Sequence, residues 1–244
     1  MNRKSNNPVL TRVPEGMALA GEAAVSYVGV SIKTLILLGV AVLTAMWPWS
    51  LMASTEGVAL AQKLMIGGLI GGLVFGFATI FKPRWAPVSS FAYAACEGLF
   101  LGGITAIFEA SNPGIAVNAG LLTMGLFTAM LVAYGAGVVR VTQRFRMFMI
   151  GAIGAIMFAY LINIIMGMFG TQLPFLHDAG MVGLGINVFI IVIAVLSLAL
   201  DFDLIERMVN NHAPKRYEWY LGFGLMVSLV WIYIEVLRLL GRRD

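Results

Sequence analysis

Two acids two residues apart, Asp201 and Asp203, lie in Leu198-Ala199-Leu200-Asp201-Phe202-Asp203-Leu204-Ile205-Glu206-Arg207, at the tail of a long apolar run. If that run crosses a bilayer, an Asp costs roughly 2.5–3.5 kcal/mol at the helix centre and less near the interface. A partner, a water-filled cavity or a proton usually meets such a cost. On a regular helix the two are rotated about 200° apart, so only one points squarely into a bundle. Asp203 stands four residues before Arg207 and can pair with it along the helix surface. Asp201 is then the interior candidate, expected about one turn below the cytoplasmic interface. A partly desolvated carboxylate there suits a proton sensor or a low-affinity cation ligand.

Other polar residues fall inside apolar runs. Glu97, in Ala94-Ala95-Cys96-Glu97-Gly98, is expected near mid-membrane, where an ionisable group is a functional candidate by default. It would line a cation or proton path, or hold helices together in neutral form. Glu235 precedes Arg238 by three residues, which predicts a local ion pair near the outer end of the last span, with path lining as the other reading. Asn163 and Asn187 read as interhelical hydrogen-bonding residues or as lining of a polar cavity.

The elements that position these groups follow from composition. The chain has 244 residues, 60% hydrophobic and 11% charged, with net charge +4 and mean hydropathy +0.90. Soluble domains carry about 25% charged residues, so an all-α integral membrane protein is predicted. Seven runs are long enough for a hydrocarbon core that needs about 20 apolar residues: Val30–Met52, Val58–Phe81, Val88–Phe108, Ile115–Val139, Met147–Phe169, Met181–Ile205 and Tyr217–Leu240. Residues 1–26 form a polar cytoplasmic arm broken by Pro8 and Pro14, with an amphipathic stretch around Met17–Val25, and residues 27–244 form the transmembrane domain. The arm does not resemble a cleavable signal peptide.

Short loops make consecutive spans antiparallel neighbours. Lys and Arg gather in the arm (Arg3, Lys4, Arg12), the second loop (Lys82, Arg84), the fourth (Arg140, Arg144, Arg146) and the sixth (Arg207, Lys215, Arg216), and are missing from the other three loops. This alternation predicts a cytoplasmic amino terminus. Seven spans would then leave Arg242 and Arg243 outside, against the bias. The second span, Gly67-Gly68-Leu69-Ile70-Gly71-Gly72-Leu73-Val74-Phe75-Gly76, carries overlapping small-residue repeats that predict close helix packing, with a sliding gate helix as the other reading.

Enzyme chemistry finds little support. His177 and His212 fall in loops, away from any membrane-embedded serine. Neither a His-Glu-x-x-His stretch nor a phosphate-cradling Gly-x-x-x-x-Gly-Lys is present. Cys96 is the one cysteine, so no intrachain disulfide forms. The fifteen methionines read as bundle filling rather than a metal site. Scattered basic residues argue against nucleic acid as a partner. No cofactor is expected beyond a weakly bound Ca2+.

The chain resembles the Bax inhibitor-1 family, the transmembrane Bax inhibitor motif proteins, and is most similar to the bacterial YccA-like branch. The resemblance rests on Ser5-Asn6-Asn7-Pro8-Val9-Leu10-Thr11-Arg12, on Tyr93-Ala94-Ala95-Cys96-Glu97-Gly98-Leu99-Phe100-Leu101-Gly102, and above all on Leu200-Asp201-Phe202-Asp203-Leu204-Ile205-Glu206 followed by Trp231-Ile232-Tyr233-Ile234-Glu235-Val236-Leu237-Arg238. It implies six helices surrounding the seventh, in the inner membrane of a bacterial cell. It also implies a pair of aspartates, from the sixth and seventh helices, that shares a proton and controls a calcium leak. Asp201 matches the first. The second falls at Ser228 when the last spans are aligned through Arg238, and Ser228 is not acidic, which leaves Asp203 or Glu235 as substitutes. The YccA-like branch further implies a membrane-bound, ATP-dependent protease of the FtsH kind as partner, engaged through the arm.

Overall fold

The computed structural model describes residues 23–52, 57–170 and 180–242. The Met17–Val25 stretch (up to residue 22), the segment Ser5–Arg12, His177, Arg243 and most of the first and fifth loops lie outside them. Among the described residues there are seven long helices: α1 (Tyr27–Leu51), α2 (Val58–Phe81), α3 (Ala86–Ser111, after a 3-10 turn Pro83–Trp85), α4 (Ile115–Gly135), α5 (Gln143–Met168), α6 (Met181–Asn210) and α7 (Tyr217–Leu240). Each is long and apolar enough to cross a membrane. Helix is the state that satisfies every backbone N–H and C=O within one segment, as hydrocarbon requires.

Polar residues at the ends set the boundaries. Ser26 caps α1 by accepting from Gly29 N at 2.9 Å, so α1 begins at Tyr27 rather than Val30. Thr142 caps α5 by accepting from Phe145 N at 3.2 Å. Glu109, at the end of α3, accepts from Gly114 N at 2.6 Å and Ala116 N at 3.0 Å and so closes the turn into α4. α4 stops at Gly135, short of Val139, because Ala133 O accepts from Val138 and Val139 and Gly137 adopts φ 71°.

The largest departure concerns α6, which runs to Asn210 rather than ending near Ile205. Asp201 therefore lies nine residues inside the helix end, roughly 13 Å, and not one turn from it. The extra turn holds because Met208 is buried against Val25, Val30 and Tyr217, while Arg207 pairs back to Asp203.

α7 occupies the centre. Over its most apolar stretch 56% of residues are buried, against 11% for α5. α1, α3, α4 and α6 pack directly on it, α5 reaches it through Tyr160, and α2 lies against α1 and α3. The packing surfaces are small residues. A Cβ on Gly98 would overlap Ala41 O and Thr44 Oγ1 of α1, and one on Gly102 would overlap Ala45 O. These two glycines, four apart, let α1 and α3 touch backbone to backbone. On α2, Gly68 and Gly72 face Cys96, Glu97 and Phe100 of α3, so the glycine-rich face is filled by a neighbouring helix. Side chains such as Phe158, Ile164 and Val188 stand on the outer surface, against lipid.

Candidate functional site: the α6–α7 seam

Asp201 and Ser228 meet across the seam between α6 and α7. Ser228 Oγ donates to Asp201 Oδ2 at 2.5 Å. Asp201 is partly buried, and Leu198, Ala199, Phe202 and Leu225 fill the core around it. The local reason is rotation: Asp201 and Leu198 share the inner face of α6, three residues apart, while Ser228 and Leu225 do the same on α7. The position aligned with the family's second aspartate is thus the one that touches Asp201, although its side chain is a hydroxyl.

Asp203 turns the other way. Its Oδ2 accepts from Arg146 Nη2 of α5 at 2.7 Å and sits 2.7 Å from Arg207 Nη2. The Arg207 pairing follows the four-residue spacing, whereas Arg146 comes from a distant helix. So engaged, Asp203 does not supply a second carboxylate beside Asp201. One turn on, Tyr134 donates to Glu206 at 2.6 Å and ties α4 to the same end of α6.

Glu235 lies further along α7 and is 1% exposed. Tyr160 of α5 donates to its Oε1 at 2.6 Å, and Asn187 Nδ2 of α6 donates to its Oε2 at 3.1 Å. Arg238 Nη1 stands 3.4 Å from Oε2 and 2.9 Å from the Tyr160 hydroxyl. The local pair with Arg238 is present, but as one edge of a network joining three helices. Glu235 does not reach Asp201. Glu97, halfway along α3, accepts from the Tyr93 hydroxyl one turn earlier and faces Gly72 of α2. Asn163 is partly buried on α5.

Sequence reasoning does not single out one further acid. Glu218, in the first turn of α7, is fully buried: Ser26 donates to its Oε1 from N at 3.2 Å and Oγ at 3.1 Å, and Lys33 Nζ lies 2.9 Å from Oε2. Lys33 also stands over the Trp219 ring at 5.6 Å. The signal was available, since Lys33 is a lone cation inside the first apolar run and such a charge asks for a partner. Beside this clamp, Val25 N donates to Ala213 O at 2.8 Å and Lys215 N to Ala23 O at 2.9 Å, fastening the base of the arm to the α6–α7 turn.

A cavity of about 610 Å³ opens between α1, α3, α4 and α7. Its walls are apolar apart from hydroxyls such as Thr105 and Tyr233, 3.1 Å apart, and Asp201 is not among its lining residues. Such walls do not replace the hydration of a cation. Among the described residues no group of three or more His, Cys, Asp or Glu could hold a metal ion.

The sequence model described as Bax inhibitor 1 like matches residues 7–243. The chain belongs to the Bax inhibitor 1 family. The match spans all seven helices and both partners of the Asp201–Ser228 contact. No curated protein and no solved structure matches the chain. This Bax inhibitor 1 family member is thus a multi-pass membrane protein in contact with lipid, with a carboxylate held between its two last helices.

Proposed function

We propose that the protein is a pH-responsive passive cation pathway, leaking calcium, with Asp201 as its proton-sensitive latch. The observation that supports this reading is the 2.5 Å contact between Asp201 and Ser228 across the seam of the central helix. With Asp201 neutral, the hydroxyl contact and the surrounding Leu198, Phe202 and Leu225 keep α6 and α7 together. Loss of the proton leaves a carboxylate facing one hydroxyl in an apolar seam, an arrangement that either parts the helices or draws in a cation. A single acid gives a shallower response than two acids sharing a proton. No catalytic group and no resident cofactor belong to this reading. The experiment is calcium-dye efflux from liposomes from acid to alkaline pH. Flux that rises with pH supports the latch, and flux equal to empty vesicles throughout ends it.

A second reading has its own observation. The base of the arm, Ala23 to Ser26, is clamped to the α6–α7 turn and the start of α7 by Glu218, Lys33 and the Ala24–Pro214 bridge. In this reading the protein regulates a membrane-bound protease that grips the arm on the cytoplasmic side of a bacterial inner membrane. Removing residues 1–22 discriminates, because leak survives that deletion and protease engagement does not.

A further inference from the structure

The network around Glu235 contains more polar capacity than its members use. Asn187 is 2% exposed, and while its Nδ2 donates to Glu235, its Oδ1 is buried and accepts no hydrogen bond from any described residue. Trp231 lies one turn before Glu235 on α7, and its indole N–H is likewise buried without an acceptor among the described residues. An orphaned amide oxygen beside a buried carboxylate and a phenol hydroxyl is a set of hard oxygen donors, the kind that binds Ca2+ and similar cations. The indole N–H suits a water in such a cation's shell.

One charge opposes occupancy. Arg238 Nη1 lies 3.4 Å from Glu235 Oε2, but its side chain is 35% exposed and has room to swing outward. We propose that Glu235, Asn187 and Tyr160 form a binding site for a small hard cation of the Ca2+ class, with the Arg238 guanidinium as a tethered competitor. One carboxylate among neutral oxygens makes the site weak, in the millimolar class of low-charge sites. The site is separate from the Asp201 latch: Glu235 lies seven residues from Ser228 on α7, about 10 Å along the axis.

The test uses the full chain in detergent with Tb3+ as the calcium surrogate, excited through tryptophan, because Trp231 adjoins the site. The expected result is saturable sensitised emission, competed by Ca2+, lost in Glu235→Gln, reduced in Trp231→Phe and retained in Asp201→Asn. Arg238→Gln removes the competitor and should tighten binding severalfold. Asn187→Asp adds a second carboxylate and should tighten it further, which keeps the proposal testable if Glu235→Gln does not fold. Emission unchanged in Glu235→Gln overturns the site. Weaker binding in Arg238→Gln overturns the competitor, and absence of saturable emission from the unsubstituted chain assigns the cluster to helix packing alone. Liposome efflux of Asp201→Asn reports on the leak separately, so binding and flux can fail independently.

Discussion

Asp201 and Asp203 are near neighbours in sequence with opposite surroundings. Asp203 has two guanidiniums within 2.7 Å, whereas Asp201 has one hydroxyl. The difference predicts different mutant behaviour in the efflux assay. Asp201→Asn mimics the protonated acid, so flux should stay low and flat from acid to alkaline pH. Ser228→Asp places a second carboxylate against the first and should steepen the pH response, because two acids in contact do not both ionise cheaply. Asp203→Asn should leave the pH profile in place, since Asp203 is held by Arg146 and Arg207 and takes no part in the Asp201–Ser228 contact. The helical period of the sequence separates the two acids. The identity of their partners is not contained in it, because Arg146 and Ser228 come from other helices.

Helix packing explains which glycines matter. The glycine run of α2 predicts close helix packing, and Gly68 and Gly72 do face α3. Yet the tightest backbone-to-backbone approach is between α1 and α3 at Gly98 and Gly102, in the segment that carries Glu97. Gly98→Ala should lower thermal stability in detergent by roughly 1–3 kcal/mol, the usual cost of overpacking. Gly39→Ala, on α1 with open space around it, should be neutral or slightly stabilising, since Ala is the better helix former. Equal effects at the two positions would contradict the packing described here. Span existence was legible because a run of about 20 apolar residues announces itself. Ends were less so: α6 overran its expected stop through a buried Met208 and an ion pair that hydropathy does not weigh.

The molecule as a whole is tied together at both ends of α7. At its start, Glu218 joins Lys33 of α1 and Ser26 of the arm, and near its end Glu235 joins α5 and α6. Removing one partner of a buried charge pair typically costs on the order of 3–5 kcal/mol, because the other charge stays buried. Lys33→Met should therefore destabilise the protein strongly, and Lys33→Met with Glu218→Gln should recover much of the loss in the same unfolding assay. Deleting residues 1–22 leaves Ser26, Lys33 and Glu218 in place and should preserve both stability and leak.

Composition and hydropathy were sufficient to specify seven membrane-crossing helices, because lipid imposes its demand on each segment separately: enough apolar length and internally bonded backbone. They also marked Asp201, Glu97 and Glu235 as acids in costly places. Which group answers each acid came from the folded bundle alone. Contacts such as Asp201–Ser228, Glu235–Asn187 and Glu218–Lys33 depend on how far each helix is rotated and slid against its neighbours. Rotation and sliding are fixed by glycine close approaches and side-chain fit between segments far apart in the chain, and no local pattern of residues encodes them.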